Sequence, residues 1–320
     1  MLELHPPVEP YDTGLLDVGG GNRIYWEAVG DPDGKPLVYL HGGPGSGCSV
    51  NQRRWFDPDK YRAILFDQRN CGRSTPNAAD PATDLSANTT QNLIADIEAL
   101  REHLGIDRWL VSGASWGSTL ALAYAQAHPS RVTEMVIIDV TTTRASEIDW
   151  LYRGLRRIFP EEWSRFHGHV SHVPADAPIG ELLSAYGELL ADPDPVVRER
   201  AAVEWLRWED TAVSLEPQGK KDAYSSRPDL QQVCFARICA HYFGNYAFLE
   251  DEVLLREAGK LAGIPAVLIH GRHDLSGPLL NAWELAQAWP DAELAVIEDS
   301  GHTGSPAMTD RMLRAFRDFA

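Results

Sequence analysis

Apolar and polar residues alternate between two periodicities along the first 140 positions. Short apolar runs at Arg23 to Trp26, Pro36 to Leu40, Arg62 to Phe66, Trp109 to Ser112 and Val132 to Ile138 read as strands. After the first, they alternate with helical patterns, as the βα repeats of a parallel sheet should. In the helix expected after Asn88, Leu93, Ile97, Leu100 and Leu104 fall on one face, and Asn88 with Gln91 forms a capping-box pattern at its start. From Thr141 to about Gly263 the strand pattern stops, and tryptophan, arginine and glutamate recur at helical spacing. Pro193 and Pro195 mark a helix boundary inside that stretch. Strand-like runs resume at Ala266 to His270 and Ala292 to Ile297. The pattern predicts an α/β fold: a mostly parallel twisted sheet flanked by helices. The core would be built from residues 1–140 and 264–320, with 141–263 inserted as a helical cap.

Composition fits a soluble enzyme. A chain of 320 residues, 44% hydrophobic, can bury a substantial core. A net charge of −17 argues against a nucleic-acid partner, which would call for clustered lysine and arginine. No run reaches the ~18 apolar residues of a membrane span. The amino terminus has neither a basic nor an apolar leader segment, so a cytoplasmic location is expected. Cys48, Cys71, Cys234 and Cys239 show neither C-x-x-C nor zinc spacing and read as reduced thiols. His167, His169 and His172 have a metal-like rhythm but no supporting ligand pattern, so neither metal nor cofactor is expected. Oligomeric state is left open.

The candidate chemistry starts at Gly113-Ala114-Ser115-Trp116-Gly117, which follows an apolar strand and opens a helix running to about Ala127. Strand, tight turn and helix in that order are the context of a nucleophile elbow, where small residues let neighbouring backbone pass close to a strained serine. Upstream, His41-Gly42-Gly43-Pro44-Gly45 ends a buried strand and lacks the lysine of a phosphate-binding loop. An oxyanion formed at Ser115 needs two preorganised N–H donors, assigned to the backbones of Gly43 and Trp116. Ser115 also needs a base, and the base an acid to set its tautomer; in this class the chain order is serine, acid, histidine. Asp274 and His302 each follow an apolar strand near the end of the chain, where the active-site loops of open α/β sheets gather. Asp139 and Asp299 are rival acids. Arg69 and Arg73 suit either an anion or, better, bidentate carboxylate pairs that anchor their loop.

Taken together, His41 to Gly45, Asp67-Gln-Arg-Asn-Cys-Gly-Arg-Ser74, Asn88-Thr-Thr90, Gly113 to Leu120, Ala123 to Pro129, Trp205-Leu-Arg-Trp-Glu209, Ala236-Arg-Ile238, His241-Tyr-Phe243, Gly271-Arg-His-Asp274 and Gly301-His302 closely resemble the prolyl aminopeptidase (proline iminopeptidase) family. The resemblance implies an α/β-hydrolase fold with Ser115, Asp274 and His302 as triad and Gly43 and Trp116 as oxyanion hole. It also implies that Glu209 binds the substrate's free α-amine and that Phe243 keeps a matching pocket position. The chain departs from the family pattern at Cys239, where a second amine-binding glutamate is expected, and at Thr141 and Leu151, where pocket aromatics are expected.

Three functions remain open on this reading. One is a serine aminopeptidase that removes an N-terminal residue, proline by resemblance, from small peptides through an acyl-enzyme. The second is an esterase, lactonase or amidase of the same branch with an altered pocket, acting on a specialised metabolite. The third is a non-catalytic ligand-binding module.

Overall fold

A computed structural model describes residues 1–213 and 220–320. Eight strands form one sheet: β1 (Asp12–Asp17), β2 (Arg23–Gly30), β3 (Lys35–Leu40), β4 (Tyr61–Phe66), β5 (Trp109–Ala114), β6 (Val132–Ile138), β7 (Ala266–Gly271) and β8 (Ala292–Ile297). Their spatial order is β1-β2-β4-β3-β5-β6-β7-β8. The pairs β1–β2 and β2–β4 are antiparallel, and every pair from β4–β3 to β7–β8 is parallel.

The apolar runs work because side chains alternate across a strand. In β3, Val38 and Leu40 join a cluster with Trp109, Leu120 and Trp116, whereas Leu37 and Tyr39 join Phe56, Met312 and Phe316 on the other face. Both faces of the parallel strands are therefore covered, which explains near-continuous hydrophobic runs in place of an in/out alternation. The helices α1 (Thr90–His103) and α2 (Trp116–Ala127) lie in chain order between strands. In α1 the predicted stripe is buried through Leu93, Ile97 and Leu100.

The start of α1 differs from the sequence expectation. Thr89, not Asn88, is the N-cap, and its side chain accepts from the Asn92 amide. Asn88 is instead buried: its Nδ2 donates to the Arg69 carbonyl at 3.0 Å and its Oδ1 accepts from the Tyr242 hydroxyl at 2.5 Å. The edge strand β1 was also absent from the sequence reading, because its Asp-Thr-Gly-Leu-Leu-Asp run is mostly exposed.

Among the described residues no strand lies between Ile138 and Ala266. The chain there forms α3 (Ala145–Tyr152), α4 (Pro160–Gly168), α5 (Ile179–Leu190), α6 (Pro195–Val213), α7 (Asp229–Gly244) and α8 (Val253–Arg256), with Pro195 opening α6 as its pattern suggests. Helices α3 to α7 share a separate core of aromatic residues, including Tyr152, Phe166, Tyr186, Trp205 and Trp208. The stretch from Ala247 to Ile264 packs instead on the sheet's own core. No described helix is long and apolar enough to cross a membrane. The chain closes with α9 (Leu279–Ala288) and α10 (Pro306–Asp318).

The loop after β4 is anchored by ion pairs, as its arginines suggest. Arg69 makes a bidentate pair with buried Asp96 at 2.6 and 2.7 Å. Arg73 reaches Asp67 at 2.7 Å and buried Glu27 at 2.9 Å, and Arg53 grips Glu27 from the other side. Such pairs fix geometry strongly, since a buried charge left alone would cost about 3–5 kcal/mol.

Candidate active site

Ser115 sits between β5 and α2 with φ 56° and ψ −124°, a conformation that L side chains rarely adopt. The flanking glycines are what permit it. A Cβ on Gly113 would lie 2.1 Å from the Gly117 carbonyl oxygen, and one on Gly117 would lie 2.0 Å from the Leu40 carbonyl oxygen. Ala114 is half-exposed and meets no such limit. The turn therefore holds the serine hydroxyl at the carboxyl ends of the parallel strands and at the amino end of a helix.

From there a chain of hydrogen bonds runs inward. His302 Nε2 is 3.0 Å from Ser115 Oγ, and His302 Nδ1 is 2.7 Å from Asp274 Oδ2. Asp274 is buried, and its other oxygen accepts from the Gly277 amide and the Ser276 hydroxyl, both at 2.9 Å. Burial would push the Asp274 carboxyl up, yet His302, His270 and the Gly277 amide hold it down at about 2. Burial likewise pulls His302 down, but Asp274, then Asp139 and Glu209, raise it to about 9. Of the rival acids, Asp299 is exposed and accepts from the Ser305 hydroxyl, away from the relay. Asp139, at the end of β6, keeps a carboxylate oxygen within 4.8 Å of the ligand atoms of Asp274 and His302.

Two buried histidines, His41 and His270, hold the surrounding loops. His41 Nε2 accepts from the Gln68 amide at 3.0 Å, so Nδ1 carries the proton, facing the Gly42 carbonyl at 2.9 Å. Gln68 continues the network from its side-chain amide to the His41 carbonyl and from its Oε1 to the Trp116 indole N–H, each at 2.9 Å. His270 accepts from the Val140 amide through Nδ1 at 3.0 Å and donates from Nε2 to the Gly277 carbonyl at 2.7 Å. Burial lowers the pKa of both rings, which suits the neutral tautomers these bonds require. Position in the sequence gave no sign of these roles; only tertiary contacts do.

Ser115 and His302 open into a cleft also lined by Gly43, Trp116, Thr141, Leu151, Glu209 and Phe243. Neither the Gly43 nor the Trp116 amide makes a backbone hydrogen bond with a described residue. Glu209 is buried, and its Oε1 accepts from the Tyr152 hydroxyl and, at 3.1 Å, from the Trp205 indole. Among the described residues its second oxygen takes no hydrogen bond. Burial lifts the Glu209 carboxyl to about 7, against the pull of those two donors and of His302.

One expected pocket residue is misplaced by the sequence reading. Cys239 is fully buried in the helical layer, donates to the Pro44 carbonyl at 3.3 Å and does not line the cleft. Thr141 is on the wall, but its hydroxyl donates to Glu147 at 2.8 Å. Glu147, missed in the sequence, lines the same cleft and also accepts from the Thr142 and Thr143 amides and Arg144. Among the described residues the His167, His169 and His172 trio forms no metal-ligand cluster; His167 Nε2 faces the Val173 carbonyl, and its ring stacks on Trp163.

A strained serine between strand and helix, with a histidine and an acid beyond neighbouring parallel strands, defines an α/β hydrolase. The family model described as alpha/beta hydrolase fold matches residues 35–305. The chain belongs to the proline iminopeptidase family of these hydrolases. It is 49% identical over its whole length to a Streptomyces coelicolor protein named "Probable proline iminopeptidase", of which it covers 98%. It is 44% identical to the proline iminopeptidase of Neisseria gonorrhoeae, with 97% of this chain and 96% of that protein covered. The crystal structure of the Mycobacterium smegmatis proline iminopeptidase superposes with a TM-score of 0.58 over 96% of this chain and 97% of the other, at 17% identity, a likeness of fold alone.

Proposed function

We propose that the protein is a serine aminopeptidase that releases N-terminal proline from small peptides. The observation that carries this reading is the placement of Glu209, a buried carboxylate with one oxygen unspent among the described residues, on the wall of the cleft into which Ser115 and His302 open. A secondary ammonium at a peptide's amino terminus would pair with that oxygen and gain a charge-assisted hydrogen bond. The identity to named proline iminopeptidases supports proline as the residue so held.

In this mechanism His302 Nε2 takes the Ser115 proton as Oγ attacks the carbonyl carbon. The Gly43 and Trp116 amides receive the oxyanion, and the helix dipole of α2 favours the charge there. Asp274 holds the Nδ1–H tautomer and stabilises the imidazolium. His302 then passes the proton to the leaving amine, the C–N bond breaks, and water repeats the sequence on the acyl-enzyme. Helices α3 to α7, which share a core of their own, act as the cap that excludes water and carries the amine-binding acid.

Initial rates test this. Wild type and Ser115→Ala would be compared on proline, alanine and leucine arylamides, on matched N-acetylated arylamides and on a short acyl ester. Ser115-dependent cleavage of the free-amine proline substrate is expected. The polar wall of Thr141 and Glu147 favours the alternative, an esterase, lactonase or amidase, and ester turnover without arylamide turnover would replace the peptidase reading with it.

A further inference from the structure

A second cavity of about 710 Å³ lies on the other side of the oxyanion loop, between Gly45 to Cys48, the loop after β4 and the start of α7. Its charges are unequal in commitment. Asp67 is spent on Arg73 and on the Cys48 and Arg73 amides. Asp80 accepts from the Ala82 amide. Arg73 is shared between Asp67 and Glu27. Arg227 stands apart, with no described carboxylate within ion-pairing distance. Its guanidinium lies 4.3 Å from the Phe235 ring centroid and 5.0 Å from that of Tyr224. One nitrogen donates to Ser46 Oγ at 3.2 Å, and buried Nη1 has no hydrogen-bond partner among the described residues.

The aromatic clamp also ties Arg227 to the reaction centre. Tyr224 lines the catalytic cleft, and Phe235 approaches to 3.2 Å from where a Gly43 Cβ would stand. Arg227 thus touches the chain just after the oxyanion loop at Ser46 and packs on two rings that border the cleft and Gly43, on the side toward which one or two residues of a leaving fragment, at about 3.5 Å each, would extend. A half-buried guanidinium with one donor unspent among the described residues, and with no described acid paired to it, favours a carboxylate. We propose that Arg227 binds the carboxy-terminal carboxylate of the leaving fragment, so that the preferred substrates are peptides with one or two residues after the scissile bond. This rests on the peptidase reading above and adds a subsite on the departing side.

The test is a ratio: kcat/KM for Pro-Gly over kcat/KM for Pro-Gly amide, and the same for Pro-Gly-Gly, in wild type, Arg227→Met and Arg227→Lys. Loss of fold or of general catalysis cancels in each ratio. The free acid is expected to be favoured by about tenfold or more in wild type for at least one of the two lengths, as a charge-assisted contact would give. That preference is expected to collapse toward unity in Arg227→Met and to survive in part in Arg227→Lys. Equal turnover of acid and amide by wild type, or an unchanged ratio in Arg227→Met, overturns the subsite while leaving the peptidase reading intact. If wild type also fails on proline arylamide, which has no carboxylate, both fall.

Discussion

Replacing Glu209 by glutamine is the most discriminating perturbation of the site. The amide keeps an oxygen that can accept from Tyr152 and Trp205, so the local packing has no reason to change. What disappears is the negative charge facing the cleft. A hydrogen bond between charged groups in a covered site is worth about 1.5–3 kcal/mol, which is roughly a ten- to 150-fold factor in kcat/KM. The loss should appear mainly in KM for proline arylamide, while a short acyl ester, which has no amine to bind, should be nearly unaffected. The pH dependence gives a second signature. Because burial raises the Glu209 carboxyl to about 7, KM in the wild type should fall as pH rises through that value and the carboxylate forms. It should rise again as the substrate amine loses its proton, near 7.7–8.0 for an ordinary α-amine. The variant should lack the change on the acid side. An equal fall on amine and ester substrates would refute the assignment of Glu209 to amine binding.

Other outcomes follow from the same geometry. Ser115→Ala or His302→Ala should reduce kcat by about 10⁴-fold or more in steady-state assays, and retention of a tenth of the rate would end the triad assignment. Since Asp274, Asp139 and Glu209 together raise His302 to about 9, and the base must be neutral to act, kcat should climb with pH on the alkaline side of an ordinary histidine. Asp139→Asn removes one of those negative charges and should move that midpoint to lower pH; a midpoint that stays or rises contradicts it. Gly117→Ala would force a Cβ to within 2.0 Å of the Leu40 carbonyl oxygen, and an overpacking cost of about 1–3 kcal/mol should lower Tm by several degrees in a thermal melt. A melting curve matching wild type would show that the elbow can relax.

The elements buried on both faces were the legible ones. Runs such as Ala266 to Ile269 announce themselves because nothing polar interrupts them, and the elbow is readable because close backbone approach demands glycine at fixed offsets. β2 was foreseen only to Trp26 because Glu27 breaks the apolar run; the strand continues since Arg53 and Arg73 neutralise that acid inside the fold. The same blindness to distant partners misassigned the cap of α1, where Asn88 is drawn inward by Tyr242. Cys239 and Glu147 show the limit for the pocket. Which side of a helix faces a cleft depends on how α3, α6 and α7 pack, and periodicity within each helix does not encode their mutual rotation.

The strands that bracket the helical layer, β6 and β7, are hydrogen-bonded neighbours with Met135 opposite Ala266. The chain leaves the sheet and returns beside its point of departure, so the excursion is a loop whose ends are already joined by the ladder. Closing such a loop costs only slowly more as it lengthens. Helices can therefore be exchanged, lengthened or rotated there without disturbing the register that aligns serine, acid and histidine. In this architecture the bond-breaking apparatus and much of the cleft wall lie on separate stretches of chain, and Thr141, Leu151, Glu209 and Phe243 all fall on the second.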